Sequence, residues 1–457
     1  MSNVLIAGAV ALTLTLGAPA MAQTAGSGTE AAAAQAQIDD LKVQLRLLEN
    51  QVDTLKTNPP AAKKEPAKVA VEVDNGTTTV GGQSFMDFGH ISNQQNGLDV
   101  SPTGTGFDIK RLYLIVDHKF DEVWSADLTT DAQYIADKTT SLVTSAGPPV
   151  KTVTVTTGGG SGGVAEVFIK KLYLQATLSD AFVVHAGSYT SPWAPFVESL
   201  YGYRYIEKTQ TDRLGYANTA DWGLNASGKM GDGVFTYSLS VINGGGFKNP
   251  SRSKYVDYEG RVGVAPVKWL TFGAGFYSGH LGQVNTANQN FPNNTASRWD
   301  LVVGVHAAGF RIGGEYFHAK NYKSASATTG VYSASGITSN STTAPLADTA
   351  TGYSVFTSYE FNQMWSVFGR YDQAKPSKDV VSVLKDTYLN VGVSVKPRKG
   401  VDLALVYKNE KVENGQISVS GADANGSYTI GGTGSSTNGL TTDGKFDEVG
   451  LYAQFTF

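Results

Sequence analysis

The chain ends GLYAQFTF, Gly450 to Phe457, and this stretch decides how the rest is read. Val449, Leu451, Ala453, Phe455 and Phe457 alternate with Gly450, Tyr452, Gln454 and Thr456, the period of a β-strand with one apolar face. In a soluble sheet an apolar strand running to the last residue would be an open edge that invites other chains to pair with it. A closed barrel removes the difficulty, because there the last strand pairs with the first. The partner expected for the terminal strand is the segment around Ser84 to Ile91.

Working back from the end, the same period recurs throughout. Leu112, Leu114 and Val116 alternate with Arg111, Tyr113, Ile115 and Asp117, and Leu172, Leu174, Ala176 and Leu178 alternate with Lys171, Tyr173, Gln175 and Thr177. Similar runs centre on Tyr237, Phe272, Val391 and Leu405, and the count reaches 16 strands. An even number of such segments is what a bacterial outer-membrane barrel requires. The connections sharpen the reading. Asp121-Glu122, Ser179-Asp180, Gly231-Asp232-Gly233, the turns near Pro266 and Gly309, Asn362-Gln363 and Pro397 to Gly400 are short. Ala136 to Gly163, Thr190 to Ala220, Leu281 to Ala296 and Asn321 to Thr349 are long and rich in Ser, Thr, Gly and Asn. Short periplasmic turns alternating with long external loops mark a transmembrane barrel, whereas a soluble sandwich has no reason to keep its long loops on one side. Trp124, Trp269 and Trp365 follow short turns, and Trp222 and Trp299 follow long loops, at the heights of two membrane interfaces.

Composition agrees. Among 457 residues there are 52 Gly, 22 Tyr, 20 Phe and no Cys, and only 17% are charged. A net charge of -4 provides no basic field for nucleic acid, and without Cys there is neither disulfide nor thiol chemistry. Val4 to Leu16 followed by Ala20-Met21-Ala22 has the form of a secretory signal peptide over residues 1–22. Met1-Ser2-Asn3 lacks the expected basic residues, which points to an N-terminal truncation or a misplaced start. No run approaches the ~20 apolar residues of a membrane-crossing helix, so any crossing is by strands.

Residues 23–56 follow a different rhythm. Ala31, Ala34, Ile38, Leu41, Leu45, Leu48, Val52 and Leu55 recur at alternating gaps of three and four, the seam of a left-handed coiled coil. Residues 57–81, with Pro59, Pro60 and Pro66 among Lys and Ala, read as a semi-rigid linker, and 82–457 as the barrel.

The stretches KRLYLIVDHKF (Lys110 to Phe120), FIKKLYLQATLSDAFVVHAGSYTSPWAP (Phe168 to Pro195) and ESLYGYRYIEK (Glu198 to Lys208) resemble the second, fourth and fifth strands and the constriction loop of the phosphate-selective porin O and P family of Gram-negative bacteria. The resemblance is diffuse and spans the barrel. It implies a homotrimer of 16-stranded, water-filled barrels whose third external loop folds inward. The family's arginine ladder and eyelet lysines have no matching positions here. The alternating strand ending in Phe455 and Phe457 looks like the C-terminal signal read by the barrel-assembly machinery.

A 16-stranded barrel is wide enough for an aqueous channel, so function rests on the loop that narrows it and on the charges facing inward. The loop from Thr190 to Ala220 is the candidate constriction, because a solvated surface loop seldom carries five large aromatics. It holds Trp193, Phe196, Tyr201, Tyr203 and Tyr205 together with Glu198, Arg204, Lys208, Asp212 and Arg213. Alternation turns Arg111, Lys171, Arg261, Arg298, Arg311 and Arg370 inward, along with Asp127, Asp131, Asp257, Glu259, Asp300, Glu315 and Asp372. Among these residues Arg204, Lys208 and Arg213 outnumber Glu198 and Asp212, which leans the expectation toward weak anion preference. The alternative reading is a membrane anchor whose coiled coil tethers the barrel to the cell wall, with peptidoglycan as its partner. Expected surroundings are outer-membrane lipid and lipopolysaccharide, with the N-terminal stalk in the periplasm.

Enzyme readings find little support. Six His show no metal-ligand spacing. Gly158, Gly160 and Gly163 match a dinucleotide-loop pattern in form only, since no helix follows. No GxSxG-type nucleophile stands out. No catalysis, cofactor or metal is expected.

Overall fold

The computed structural model describes residues 69–457 except 74–75, 96, 135–139, 145–152, 158–164, 251, 283–294, 323, 326–331, 334–346, 421–426 and 432–442. The expected signal peptide and the coiled-coil seam from Ile38 to Leu55 lie outside the described residues.

Sixteen antiparallel strands close into a barrel. In chain order they are β1 (Gly76–Gln95), β2 (Leu98–Lys119), β3 (Trp124–Tyr134), β4 (Ala165–Ser179), β5 (Phe182–Thr190), β6 (Ala220–Met230), β7 (Phe235–Ile242) and β8 (Asp257–Val267). The second half is β9 (Leu270–Gly279), β10 (Ala296–Ala307), β11 (Phe310–Lys320), β12 (Thr349–Glu360), β13 (Trp365–Lys375), β14 (Lys385–Arg398), β15 (Val401–Glu413) and β16 (Gly444–Thr456). Each pairs with its sequence neighbours, and β16 pairs with β1 from Gln83↔Thr456 to Gln95↔Gly444. Phe457 extends the closure: its N–H donates to Gly82 O at 3.0 Å and its carbonyl accepts from Gly82 N at 2.9 Å. Closure leaves the terminal strand with a partner along its whole length, which answers the edge problem posed by GLYAQFTF.

The seven short connections lie at one end of the barrel and the longer ones at the other. Two of the short turns share a device. Asp121 Oδ1 accepts from the N–H groups of Val123 and Trp124, at 2.8 and 2.7 Å, and Asn362 Oδ1 does the same for Met364 and Trp365, at 2.8 and 2.9 Å. An Asx side chain thus closes each turn and launches a strand that begins on Trp. The first long-loop-end connection departs from the rule. Gln95 and Leu98 are joined by a tight turn, and the strands themselves, 20 and 22 residues long, carry the wall outward.

The linker expected over 57–81 ends sooner than its composition indicates. Val69–Val73 is a short strand that pairs with Val80 to Gly76, and β1 already begins at Gly76. Val69, Val71 and Val73 supply the β-branched side chains that favour the extended chain, and the three prolines lie before them.

Burial is inverted relative to a soluble protein. Along β10, Arg298, Asp300 and Val302 are buried toward the interior while Trp299, Leu301 and Val303 are exposed on the outside. A continuous exterior of Leu, Val, Phe and Trp is far larger than the patches a soluble monomer tolerates, and it fits a hydrocarbon environment. Trp124, Trp269, Trp299 and Trp365 are exposed, Trp222 is half-buried, and Trp193 is fully buried inside. Brominated lipids are accordingly expected to quench most of the tryptophan fluorescence and leave a residual blue-shifted component that disappears in Trp193→Phe. Unquenched emission in lipid would contradict the exterior assignment.

Two β-bulges bear on the interior. Register places Phe85 opposite Arg111 and Met86 opposite Ile109, so Lys110 is the extra residue. It also places Thr129 opposite Lys171 and Thr130 opposite Ile169, so Lys170 is the extra residue. The bulges occur at the same place in two copies of one pattern, KRLYL (Lys110 to Leu114) and KKLYL (Lys170 to Leu174).

Candidate pore constriction

Residues 191–219 enter the barrel between β5 and β6. Their helices are α1 (Ala194–Tyr201) and α2 (Gln210–Arg213). Pro195 in the first turn of α1 suits a helix start, and Gly202, at φ +81°, ends it with its N–H on Glu198 O at 2.9 Å. A Cβ at Gly202 would lie 3.0 Å from the Arg311 guanidinium, whose Nη1 donates to the carbonyls of Ser199 at 3.0 Å and Leu200 at 3.1 Å. Arg311 therefore caps the C-terminal end of α1, a favourable place for a cation.

The loop rests on inward faces of the wall. Where α1 meets β8 to β10 the wall is made of glycine. Ideal Cβ atoms would come within 2.3 Å of Phe196 at Gly273, 2.4 Å of Trp193 at Gly275 and 3.1 Å of Leu200 at Gly304. Absent side chains on the wall let the aromatic side of α1 lie flush with it. Trp193 Nε1 then donates to Glu315 Oε1 at 2.8 Å, and Thr211 donates to the same oxygen at 2.9 Å. Beyond α1 the tyrosines reach the opposite strands. Tyr201 OH accepts from Asn390 Nδ2, and Tyr203 and Tyr205 share hydrogen bonds with Ser366 and Ser394, all three at 3.1 Å. Tyr203 also stacks on Phe368 with centroids 4.2 Å apart.

Charge latches α2. Arg213 is fully buried and faces three wall carboxylates: Asp386 at 3.0 Å, Asp372 at 3.7 Å and Glu410. Burial alone would lower its pKa, but Glu410, Asp386 and Asp372 raise it well above the usual value and keep it protonated. Arg370, paired with Asp372 at 2.5 Å, donates to Lys208 O. Glu207 meets Lys408 at 3.2 Å, and Lys408 also meets Glu448 at 3.3 Å. Burial pushes the Glu207 carboxyl up, yet Lys408, with Lys110, Arg213 and Arg370, outweighs it and holds the group at about 2.

The remaining wall charges fall into local pairs. Arg111 meets Asp131 at 3.0 Å, Lys171 meets Asp127 at 3.5 Å, and Lys110 meets Asp87 at 3.0 Å. Arg298 meets Glu259 at 2.8 Å and Asp300 at 2.7 Å, and donates to Tyr216 O. Asp257 is occupied by Tyr277 OH and by the N–H groups of His280 and Leu281, all within 2.9 Å. Among the described residues Arg261 makes one hydrogen bond, to Thr236, and lies 4.2 Å over the Phe196 ring. On the loop, Arg204 meets Glu198 at 2.5 Å, and Lys208 meets Asp212 at 3.4 Å and Ser420 at 3.0 Å. Burial lowers the Lys208 pKa; Asp212 opposes this and the cations Arg111 and Arg204 reinforce it, leaving it at about 8. The structure thus gathers Arg111, Arg204 and Lys208 where loop approaches β2, and puts Arg213 on the far side of the loop among acids.

Four participants are not singled out by the sequence alone. Lys110 and Lys170 enter the lumen only because of the bulges, which break strict alternation. A hairpin of Gln416–Ser420 and Ser427–Gly431 packs Ile417, Val419, Tyr428 and Ile430 into a cluster with Leu214 and Tyr216 of the inward loop. Alternation in QISVS and SYTIG was the available signal for it. Glu207 had none, since its value depends on Lys408 two hundred residues away.

The architecture is shared with solved outer-membrane proteins. The chain is similar to outer-membrane expressed OmpT of Vibrio cholerae, with 12% identity, a TM-score of 0.51 and coverage of 85% of this chain and 100% of that one. It is likewise similar to an anion-selective porin from Comamonas acidovorans, at 12% identity, TM-score 0.51 and coverage of 83% and 99%. A third is the outer membrane channel DcaP of Acinetobacter baumannii, at 11% identity, TM-score 0.50 and coverage of 85% and 99%. These likenesses establish the barrel fold. No protein-family model matches the sequence, and no curated protein matches it.

Proposed function

We propose that this protein is an outer-membrane diffusion channel for small hydrophilic solutes, narrowed by residues 191–219. The observation that carries this reading is the loop itself, anchored along its length to the inner wall of a 16-stranded barrel by buried polar contacts. Sixteen strands enclose an aqueous lumen, and a rigid inward loop turns that lumen into a sieve. Transport on this reading is passive, and size and charge at the narrowing set the selectivity. The porin and channel neighbours agree with it. The protein would sit in the outer membrane of a Gram-negative bacterium as a homotrimer surrounded by lipid and lipopolysaccharide, with the short turns in the periplasm. Its terminal strand, ending at Phe455 and Phe457, would be read by the barrel-assembly machinery.

We assign a weak anion preference to Arg111, Arg204 and Lys208, which stand together where the loop nears β2. The pH dependence follows from Lys208. With its pKa lowered to about 8, the ammonium is charged below pH 8 and neutral above it, so one positive charge leaves the narrowing as pH rises. The reversal potential under a salt gradient is expected to shift away from anions between about pH 7 and 9, and Lys208→Met should abolish that shift. A shift of equal size in Lys208→Met would remove Lys208 from the account.

A further inference from the structure

Inward cations in this barrel have counter-charges, with few exceptions. Arg111, Lys171, Arg298, Arg370 and Lys408 each meet a carboxylate within 4 Å, and Arg213 meets three. Arg311 is occupied by two carbonyls at the end of α1. Arg261, on β8, is different. Its Nη1 donates to Thr236 Oγ1 at 3.0 Å, its plane lies over Phe196, its Nε has no acceptor, and no carboxylate among the described residues meets it. A half-buried guanidinium without a counter-ion is costly to keep, and its natural complement is an anion that comes and goes.

Beside Arg261 is a cavity of about 450 Å³, on the short-turn side of α1. Hydroxyl groups of Tyr189, Ser227, Thr236 and Ser238 line it, and Phe196 closes its loop side. Ser238 Oγ already accepts from Asn225 Nδ2 at 2.9 Å, which leaves its own O–H to donate elsewhere. The cavity's lower edge carries Lys229 and Asp180, a solvent-exposed pair 3.9 Å apart that adds no net charge. The local balance is therefore a single positive charge set among hydroxyls.

We propose that Arg261 and this cavity form a binding subsite for a polyhydroxylated monocarboxylate, entered from the short-turn end of the channel. The planar guanidinium, its face fixed on Phe196, suits a planar carboxylate, and the hydroxyls suit the rest of such a solute. One cation matches a monoanion better than a dianion such as phosphate. The subsite rests on the channel reading and adds a solute class to it.

Single-channel recording with gluconate on one side tests both readings separately. Gluconate from the short-turn side should interrupt the wild-type current at about tenfold lower concentration than propionate, which has the carboxylate without the hydroxyls. Arg261→Gln should weaken that block about tenfold, and Arg261→Lys, which keeps the charge and loses the planar fork, should weaken it as well. Absence of current in folded wild-type protein would overturn the channel reading. Current with gluconate block unchanged in both variants would overturn the subsite alone. Equal block by inorganic phosphate and gluconate would overturn the monocarboxylate class.

Discussion

Arg213→Leu is expected to release the constriction loop and enlarge the channel. Arg213 is fully buried against Asp372, Asp386 and Glu410, so the leucine leaves Asp386 and Glu410 in the wall without their cation, while Asp372 keeps Arg370. Removing one partner of a buried ion pair costs about 3 to 5 kcal/mol, because the charge left behind is uncompensated. At roughly 1.4 kcal/mol per tenfold, the equilibrium between docked and undocked loop shifts by about a hundredfold or more. Barrel closure does not pass through this residue, so the strands should remain assembled while the current becomes larger and noisier. Arg213→Lys keeps the charge and should recover part of the docking. Conductance and noise identical to wild type in Arg213→Leu would show that α2 is held by something else.

Gly275→Leu should act with the opposite sign. The new Cβ would come within 2.4 Å of the Trp193 indole, and an indole buried on all sides cannot yield as a flexible chain end would. Trp193 must then leave the wall, which breaks its bond to Glu315 and moves α1 toward the barrel axis while Arg213 still holds α2. Overpacking of this kind costs about 1 to 3 kcal/mol, and the lost hydrogen bond adds about 1 kcal/mol. Conductance is expected to fall and Trp193 emission to shift red. Gly275→Leu with wild-type conductance and emission would deny the glycine wall its role. Because one substitution loosens the loop and the other wedges it inward, a shared direction of change cannot fit both expectations.

What could be read in the sequence was what period and turn chemistry encode. Sixteen strands, seven short turns and the pairing of Phe457's strand with the first all follow from alternation and from residues such as Asp121, Asn362 and Gly309. The inward loop was legible from five aromatics that solvent would not hold. Partners across the lumen were not legible. Alternation turns Asp372, Asp386 and Glu410 toward the interior, but only the closed barrel reveals that they converge on Arg213. A count of loop charges therefore credits Arg213 to the lumen, whereas the wall neutralises it. The bulges defeat alternation for a similar reason: an inserted residue resets the period, and Lys110 and Lys170 turn inward beside Arg111 and Lys171. The first strand begins earlier than alternation indicates, because Val69 to Gly81 mixes β-branched residues with Gly and Thr directly after a proline-rich stretch.

The most direct test of the central claim is the conductance of the refolded, heat-modifiable protein in a planar bilayer under a salt gradient. Stable stepwise currents with a reversal potential favouring anions are the expected result, in groups of three steps if the assembly is trimeric. A folded barrel that inserts and passes no current would contradict the account, because the loop over residues 191–219 would then be a plug.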